Sequence, residues 1–312
     1  MRRTCLDMVH QLAKSDPRVV FVGSDLGAGT LDAMKSEMPD RFFMEGISEQ
    51  NIIGMAAGLA LEGFIPYVNT IATFITRRCF EQVAIDVCLH DLPVRLIGNG
   101  GGLVYAPLGP THTAIEDISI MRSLPNMTVV APADADEMRR FMAVTPGHPG
   151  PIYIRLAKGG DPVVSRDEDG FEIGKAIRLR DGDDVALLTT GVMAKRALDA
   201  ADILAADGLA ASVTNVHTVK PLDAAAVLDA AAGARLVVTL EENVASGGLG
   251  SAVTDVLVEQ HAAVLPPIRR MALPDAFPEN YGSQDGLLEL YGLNPARIAD
   301  AVRESLSRAA AE

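Results

Sequence analysis

Glu49 lies in the stretch EGISEQN and opens an uncharged, apolar run that reaches Leu61. A carboxyl group at such a place can share or move a proton. On this stretch alone it reads as a helix cap, because acids complement the dipole of a first turn. Other reactive types fall where apolar runs end. Asp25 follows RVVFVGS, Phe74 follows VNTIAT, and Gly100–Gly102 follow RLIGN. His112 closes GPTH, and Arg155 ends PIYIR. Taken one at a time, these read as a turn residue, a core aromatic, a structural histidine and a solvated strand end.

The elements that must position them form an alternating series. Strands are expected at RVVFVGSD, IPYVNT, PVRLIGN, MTVVAP and PIYIRLA. Helices are expected between them, at QNIIGMAAGLALEG, FITRRCFEQVAIDVCLH and DADEMRRFMAV. Such alternation predicts parallel α/β sheets. The segment 157–174 is rich in Gly and Asp, lacks periodicity and reads as a linker. Beyond it the alternation resumes through DVALLTTG, ASVTNVHT, RLVVTLEE and IRRMALP, with a helical tail from about 284. In open α/β sheets, ligands gather where strands end and loops begin, which is where the candidate residues fall. SGGLGSA at 246–252 resembles a phosphate-binding turn but lacks the G-x-G-x-x-G spacing. Close helix–strand packing is its expected use. No P-loop and no G-x-S-x-G elbow occurs.

Composition narrows the class. The chain has 312 residues, 48% of them hydrophobic, which suits two domains of roughly 100–200 residues each. Its three cysteines have no metal-type spacing, so a reducing cytoplasm is expected rather than a disulfide scaffold. A net charge of −14 makes nucleic acid and anionic membranes poor partners. No leader and no bilayer-long uncharged span is evident.

The order of segments resembles the C-terminal half of transketolase, and the corresponding parts of 1-deoxyxylulose-5-phosphate synthase and of 2-oxoacid dehydrogenase β subunits. The similar strings are GSDL, GISEQNIIGMAAGLALEGFIPYVNTIATF, GPTHTAIEDISIMRSLPNMTVVAPADADE, TVKPLD and EENVASGGLGSAV. The resemblance implies two α/β domains. Residues 1–160 would form a thiamine-diphosphate pyrimidine-binding domain, and 173–312 a transketolase C-terminal domain. It implies that Glu49 contacts N1′ of the cofactor's aminopyrimidine and favours the imino tautomer that deprotonates the thiazolium. Burial against IIGMAAGLA would raise the carboxyl pKa. It further implies that Phe74 stacks on the pyrimidine, with Ile71 in place of a second aromatic, and that Asp25 lies near the thiazolium. His112 would reach substrate oxygens, and Arg155 would grip a substrate phosphate.

Departures from the family pattern are equally informative. The diphosphate and Mg2+ motif, which begins GDG and ends near an Asn pair, has no counterpart in this sequence, and the chain opens at RRTCLDMV where the pyrimidine-binding domain would begin. The expectation is a split enzyme whose second chain carries that domain, in an α2β2 assembly. Leu108 stands where transketolases place an acid that contacts a sugar hydroxyl. Gly100–Gly102 replace a phosphate-binding histidine and would leave either extra room or a mobile loop. The expected reaction is transfer of a two-carbon ketol unit from a small anionic substrate. The alternatives are an acyloin-forming or 2-oxoacid-decarboxylating subunit, and a non-catalytic assembly subunit.

Overall fold

The computed structural model describes residues 1–24, 30–260 and 265–309. The strands are β1 Val19–Gly23, β2 Phe42–Met44, β3 Ile65–Ile71, β4 Arg95–Asn99, β5 Thr128–Val130, β6 Ile152–Leu156, β7 Ile177–Arg180, β8 Val185–Thr189, β9 Ala211–Asn215, β10 Thr218–Lys220, β11 Leu236–Val244 and β12 Ile268–Leu273. The α-helices are α1 Arg2–Ser15, α2 Asp32–Glu37, α3 Glu49–Leu61, α4 Phe80–Gln82, α5 Asp117–Ser123, α6 Ala135–Val144, α7 Met193–Ala206, α8 Ala224–Ala231, α9 Leu249–Gln260, α10 Gln284–Leu290 and α11 Pro295–Ala309. Phe74–Arg78 and Val83–Cys88 are π-helical.

Two sheets organise the chain, one of order β10-β5-β6-β4-β3-β1-β2 and one of order β12-β11-β8-β9-β7. Their pairings are parallel except β10 on β5 and β7 on β9. The central strands are apolar on both faces because helices cover both. Phe21, Tyr67, Ile97 and Ile154 pack with α1 and α6 on one side of the first sheet. Val22, Val68, Leu96 and Tyr153 pack with α3, the π-helical segments and α5 on the other. In the second sheet, Leu187, Val213 and Val238 meet α7 and α11, while Ala186, Leu188 and Val237 meet α8 and α9.

The expected linker is fastened down. Asp134 accepts hydrogen bonds from the Val164 and Ser165 amides at 2.8 and 2.7 Å. Phe171 stacks on His217 with ring centroids 4.0 Å apart. The second half also lends β10 to the first sheet, and a buried Glu137 accepts from Asn215 Nδ2 at 2.8 Å.

Candidate active site

The carboxyl ends of β1 and β3, the start of α3 and the loop after β4 meet at one edge of the first sheet. This is the end at which open parallel sheets bind ligands. Glu49 is 3% exposed and is the first residue of α3 rather than its N-cap. Ser48 is the N-cap residue, and its hydroxyl donates instead to the Glu45 carbonyl at 2.9 Å. The Glu49 carboxylate accepts from Ser24 Oγ at 2.9 Å and from Arg78 Nη1 at 2.6 Å. Burial pushes this carboxyl up, but its own N–H, Arg78 and Ser24 more than offset that and hold it below the usual carboxylate value. The expected upward shift is therefore corrected: burial does raise this carboxyl, but its own N–H, Arg78 and Ser24 together outweigh burial.

Phe74 begins the first π-helical turn, half-buried beside Glu49's partner. Its ring lies 4.2 Å from Arg78 Cζ and 5.3 Å, edge-on, from the His112 ring. Single π turns widen a helix locally and often mark functional sites. Arg77, the adjacent residue, fastens the GPTH loop to this turn. Its Nη2 donates to the Pro110 and Thr113 carbonyls at 3.2 and 3.0 Å, and its Nε pairs with Glu116 at 2.9 Å. His112 is thus held near Phe74, with its Nδ1 2.8 Å from Thr111 Oγ1. Leu108 ends the 3-10 turn Ala106–Leu108 upstream in the same loop and is 50% exposed. Ile71 is half-buried at the end of β3. Asp25 lies outside the described residues.

Two expected substrate residues are placed differently. Arg155 is buried, its Nε donating to Asp117 Oδ2 at 2.9 Å and its Nη2 to the Glu242 carbonyl at 2.6 Å and the Ala114 carbonyl at 3.3 Å. Its burial is offset by the Asp117 charge, and its contacts join the two sheets. The glycines offer neither extra room nor a loose loop. A Cβ at Gly100 would lie 2.2 Å from the Tyr105 ring, at Gly101 2.3 Å from Arg155 Nε, and at Gly102 2.4 Å from the Glu242 carboxyl. They are there so that backbone can pass against these side chains. Ser24, Arg77 and Arg78 were not singled out from sequence. Adjacent arginines on a helix read as a solvated face, and only the fold shows that they point to different partners.

A family model described as "Transketolase, pyrimidine binding domain" matches residues 1–160, and one described as "Transketolase, C-terminal domain" matches 174–298. The chain belongs to the transketolase family. It is 40% identical over 309 residues to the "6-deoxy-6-sulfo-D-fructose transketolase subunit SqwH" of Clostridium sp. (strain MSTE9), covering 99% of this chain and 95% of that protein. It is also 40% identical to the 1-deoxy-D-xylulose-5-phosphate synthase of Synechococcus sp. (strain JA-2-3B'a(2-13)), covering 94% of this chain but 45% of the synthase. A solved structure described as "Split gene transketolase, inactive beta4 tetramer" matches with a TM-score of 0.90 and 36% identity over 98% of both chains. A Pichia stipitis transketolase structure shares the fold, with a TM-score of 0.79 at 17% identity over 46% of its chain. These matches set the transketolase family member in the thiamine-diphosphate-dependent group that transfers two-carbon ketol units, beside split-gene forms. They do not favour the 2-oxoacid-decarboxylating alternative.

Proposed function

We propose that this chain is one subunit of a split transketolase and holds the aminopyrimidine half of thiamine diphosphate, while a second chain holds the diphosphate and Mg2+. One observation carries the reading. The buried Glu49 carboxylate and the Phe74 face together hold a planar, hydrogen-bonding group, the Arg78 guanidinium, beside His112. An aminopyrimidine is flat enough for the Phe74 face, and its ring nitrogen, an acceptor, can meet the Glu49 carboxyl through one shared proton. Among the described residues, no group of three or more His, Cys, Asp or Glu could hold a metal ion. No described helix is long and apolar enough to cross a membrane.

When bound, the cofactor supplies a nucleophilic carbon and an electron sink for breaking a bond beside a carbonyl. The chain's own residues supply the rest. Glu49 shares a proton with a ring nitrogen, and Ser24 fixes the carboxylate's orientation. Phe74 gives the ring a flat apolar face. His112 exchanges a proton with a substrate oxygen, held there by Arg77 through the loop. Leu108 leaves a substrate hydroxyl at its position without a partner.

The second chain packs along the exposed face of α3, which Glu49 begins. There α3 exposes Gly54, Gly58 and Leu61, and the second π segment exposes Ile85 while Leu89 follows it. Two copies of each chain would satisfy this arrangement. The test is reconstitution. The chain alone should turn over no ketose donor. Adding a chain that carries the GDG and Asn-pair motifs should create Mg2+-dependent transfer. The donor panel is xylulose 5-phosphate, 6-deoxy-6-sulfofructose and pyruvate. Full turnover by the chain alone, shown free of any partner, would refute the proposal.

A further inference from the structure

Arg78 makes both contacts that the cofactor reading assigns to an aminopyrimidine. Its Nη1 donates to Glu49 Oε2 at 2.6 Å, and its Cζ lies 4.2 Å from the Phe74 ring centroid. A guanidinium is a planar, delocalised cation with donors along its edge, so it can lie on a ring and serve a carboxylate at once. The neighbouring arginine shows the contrast. Arg77 is tied to Thr73, Pro110, Thr113 and Glu116. Among the described residues Arg78 has one acidic partner, and its side chain is 43% exposed. Its backbone is held separately, since its carbonyl accepts from Gln50 Nε2 at 3.2 Å. The side chain can therefore leave without disturbing the turn.

We propose that Arg78 is a stand-in for the aminopyrimidine. In the unliganded chain its guanidinium fills the place between Glu49 and Phe74, and it swings outward when the cofactor's ring enters. The inference rests on the reading of Glu49 and Phe74 given above. A buried carboxylate beside an aromatic face is costly to leave short of partners. Arg78 keeps it charged and partnered until a second chain arrives. The consequence is competition, because every pyrimidine that binds must first displace the guanidinium, and apparent affinity falls by the fraction of sites that are open.

The experiment uses the full chain and 4-amino-5-hydroxymethyl-2-methylpyrimidine, the pyrimidine half of thiamine, as the probe, titrated by NMR. Arg78→Ala should bind it about tenfold more tightly than wild type, the scale of an exposed ion pair plus one cation–π contact. Arg78→Lys should fall between them, because lysine reaches Glu49 but offers no plane. In the wild type, the Arg78 Nε–H signal should start shifted by the Phe74 ring current and move to the position of a free arginine on saturation. A purely structural role for Arg78 would leave that signal in place. If Glu49→Gln and Phe74→Leu weaken binding but Arg78→Ala does not strengthen it, the stand-in falls and the cofactor reading stands. If Glu49→Gln and Phe74→Leu leave binding unchanged, the cofactor reading falls as well. Absence of binding to every variant also overturns the stand-in.

Discussion

Glu49 faces the mouth of α3, and Glu241 on β11 faces the mouth of α9, yet the two carboxylates are held in opposite ways. Glu241 is fully buried, with its two oxygens each 2.8 Å from a backbone amide, those of Leu249 and Gly250. Gly248 makes room for it, since a Cβ there would fall 1.9 Å from Oε2. Burial pushes this carboxyl up to about 7 despite the two amides. Glu49 has its own N–H, a half-exposed cation and a hydroxyl, and is held low. A helix mouth therefore does not decide what an acid does. Its partners decide it: two fixed amides make a structural anchor, whereas a displaceable cation leaves the carboxylate ready for a ligand. The comparison also explains SGGLGSA. The acceptor for this turn's amides is the protein's own Glu241 carboxyl.

The largest break in the comparison should come from removing the acid function alone. In the reconstituted enzyme, Glu49→Gln should fold and assemble but lose about 10²–10⁴ in the rate of C2–H/D exchange of bound cofactor, the range for a lost proton-transfer group. Glu241→Gln should leave the exchange rate per folded molecule near that of wild type. Equal losses from the two variants would mean that Glu49 too is only an anchor.

The second contrast is in stability. Glu241→Ala leaves two buried amides without an acceptor, offset in part by the loss of a poorly solvated charge, so a loss of about 2 kcal/mol in urea unfolding is expected. The pH dependence carries the sign. A raised native pKa means that the folded state holds the proton more tightly. The Glu241 contribution is therefore fullest below the ordinary value of 4.5 and is lost as pH rises towards about 7. Glu49 is depressed, so its contribution is present above the ordinary value and is lost as pH falls. Glu241→Gln should flatten the stability curve between these pH values, and Glu49→Gln should flatten it on the acid side. A wild-type curve that Glu241→Gln does not alter would show that this carboxyl titrates normally.

How far this contrast could be read from sequence depends on the kind of signal. The central strands were legible because they are continuous apolar runs between turns. The short edge strands FFM, IRLR and TVK were not, since three or four residues leave no pattern, and TVK joins a sheet formed by the other half of the chain. The stretch 74–88 reads as one ordinary helix, because a π turn keeps the composition and shifts only the register. Glu49, Phe74 and His112 stand out only through family resemblance, and the fold brings the last two edge to face. Arg155 shows the limit of that route. Its partner Asp117 is 38 residues away, and nothing in PIYIR reveals that the charge turns inward.

A smaller effect concerns the opening of the site. Leucine cannot accept a hydrogen bond, but Leu108 is half exposed and water can partly replace the missing partner, so the effect is about 1 kcal/mol or less, within one decade of specificity. Leu108→Asp should raise kcat/KM for xylulose 5-phosphate by that factor relative to donors without a hydroxyl at that position. If wild type already prefers xylulose 5-phosphate and the aspartate gains nothing, Leu108 does not select the donor.

The smallest predicted change tests whether solvent access separates the two acids. Ser24→Ala removes one neutral donor from Glu49, a bond of 2.9 Å. A hydrogen bond to a charged group can contribute about 1.5–3 kcal/mol when nothing replaces it. Here Arg78 and the Glu49 amide remain, and the half-exposed Arg78 side chain shows that water reaches the mouth of the site. The expected loss is therefore about 1 kcal/mol or less, seen as a modest rise in the Glu49 pKa by 13C NMR of the carboxyl carbon. The matching deletion at Glu241 is Gly250→Pro, which removes one buried amide donor but also brings its ring against Thr239 Oγ1, 2.8 Å from where a Cβ would sit. It should cost more, even though both variants remove a single donor and Pro also constrains the turn. The proline's strain is separated by the Glu241→Gln background, in which the lost amide has a weaker acceptor to serve. If Ser24→Ala shifts the Glu49 carboxyl as far as loss of Arg78 does, the hydroxyl rather than the cation sets its charge, and the contrast between the two glutamates narrows to burial alone.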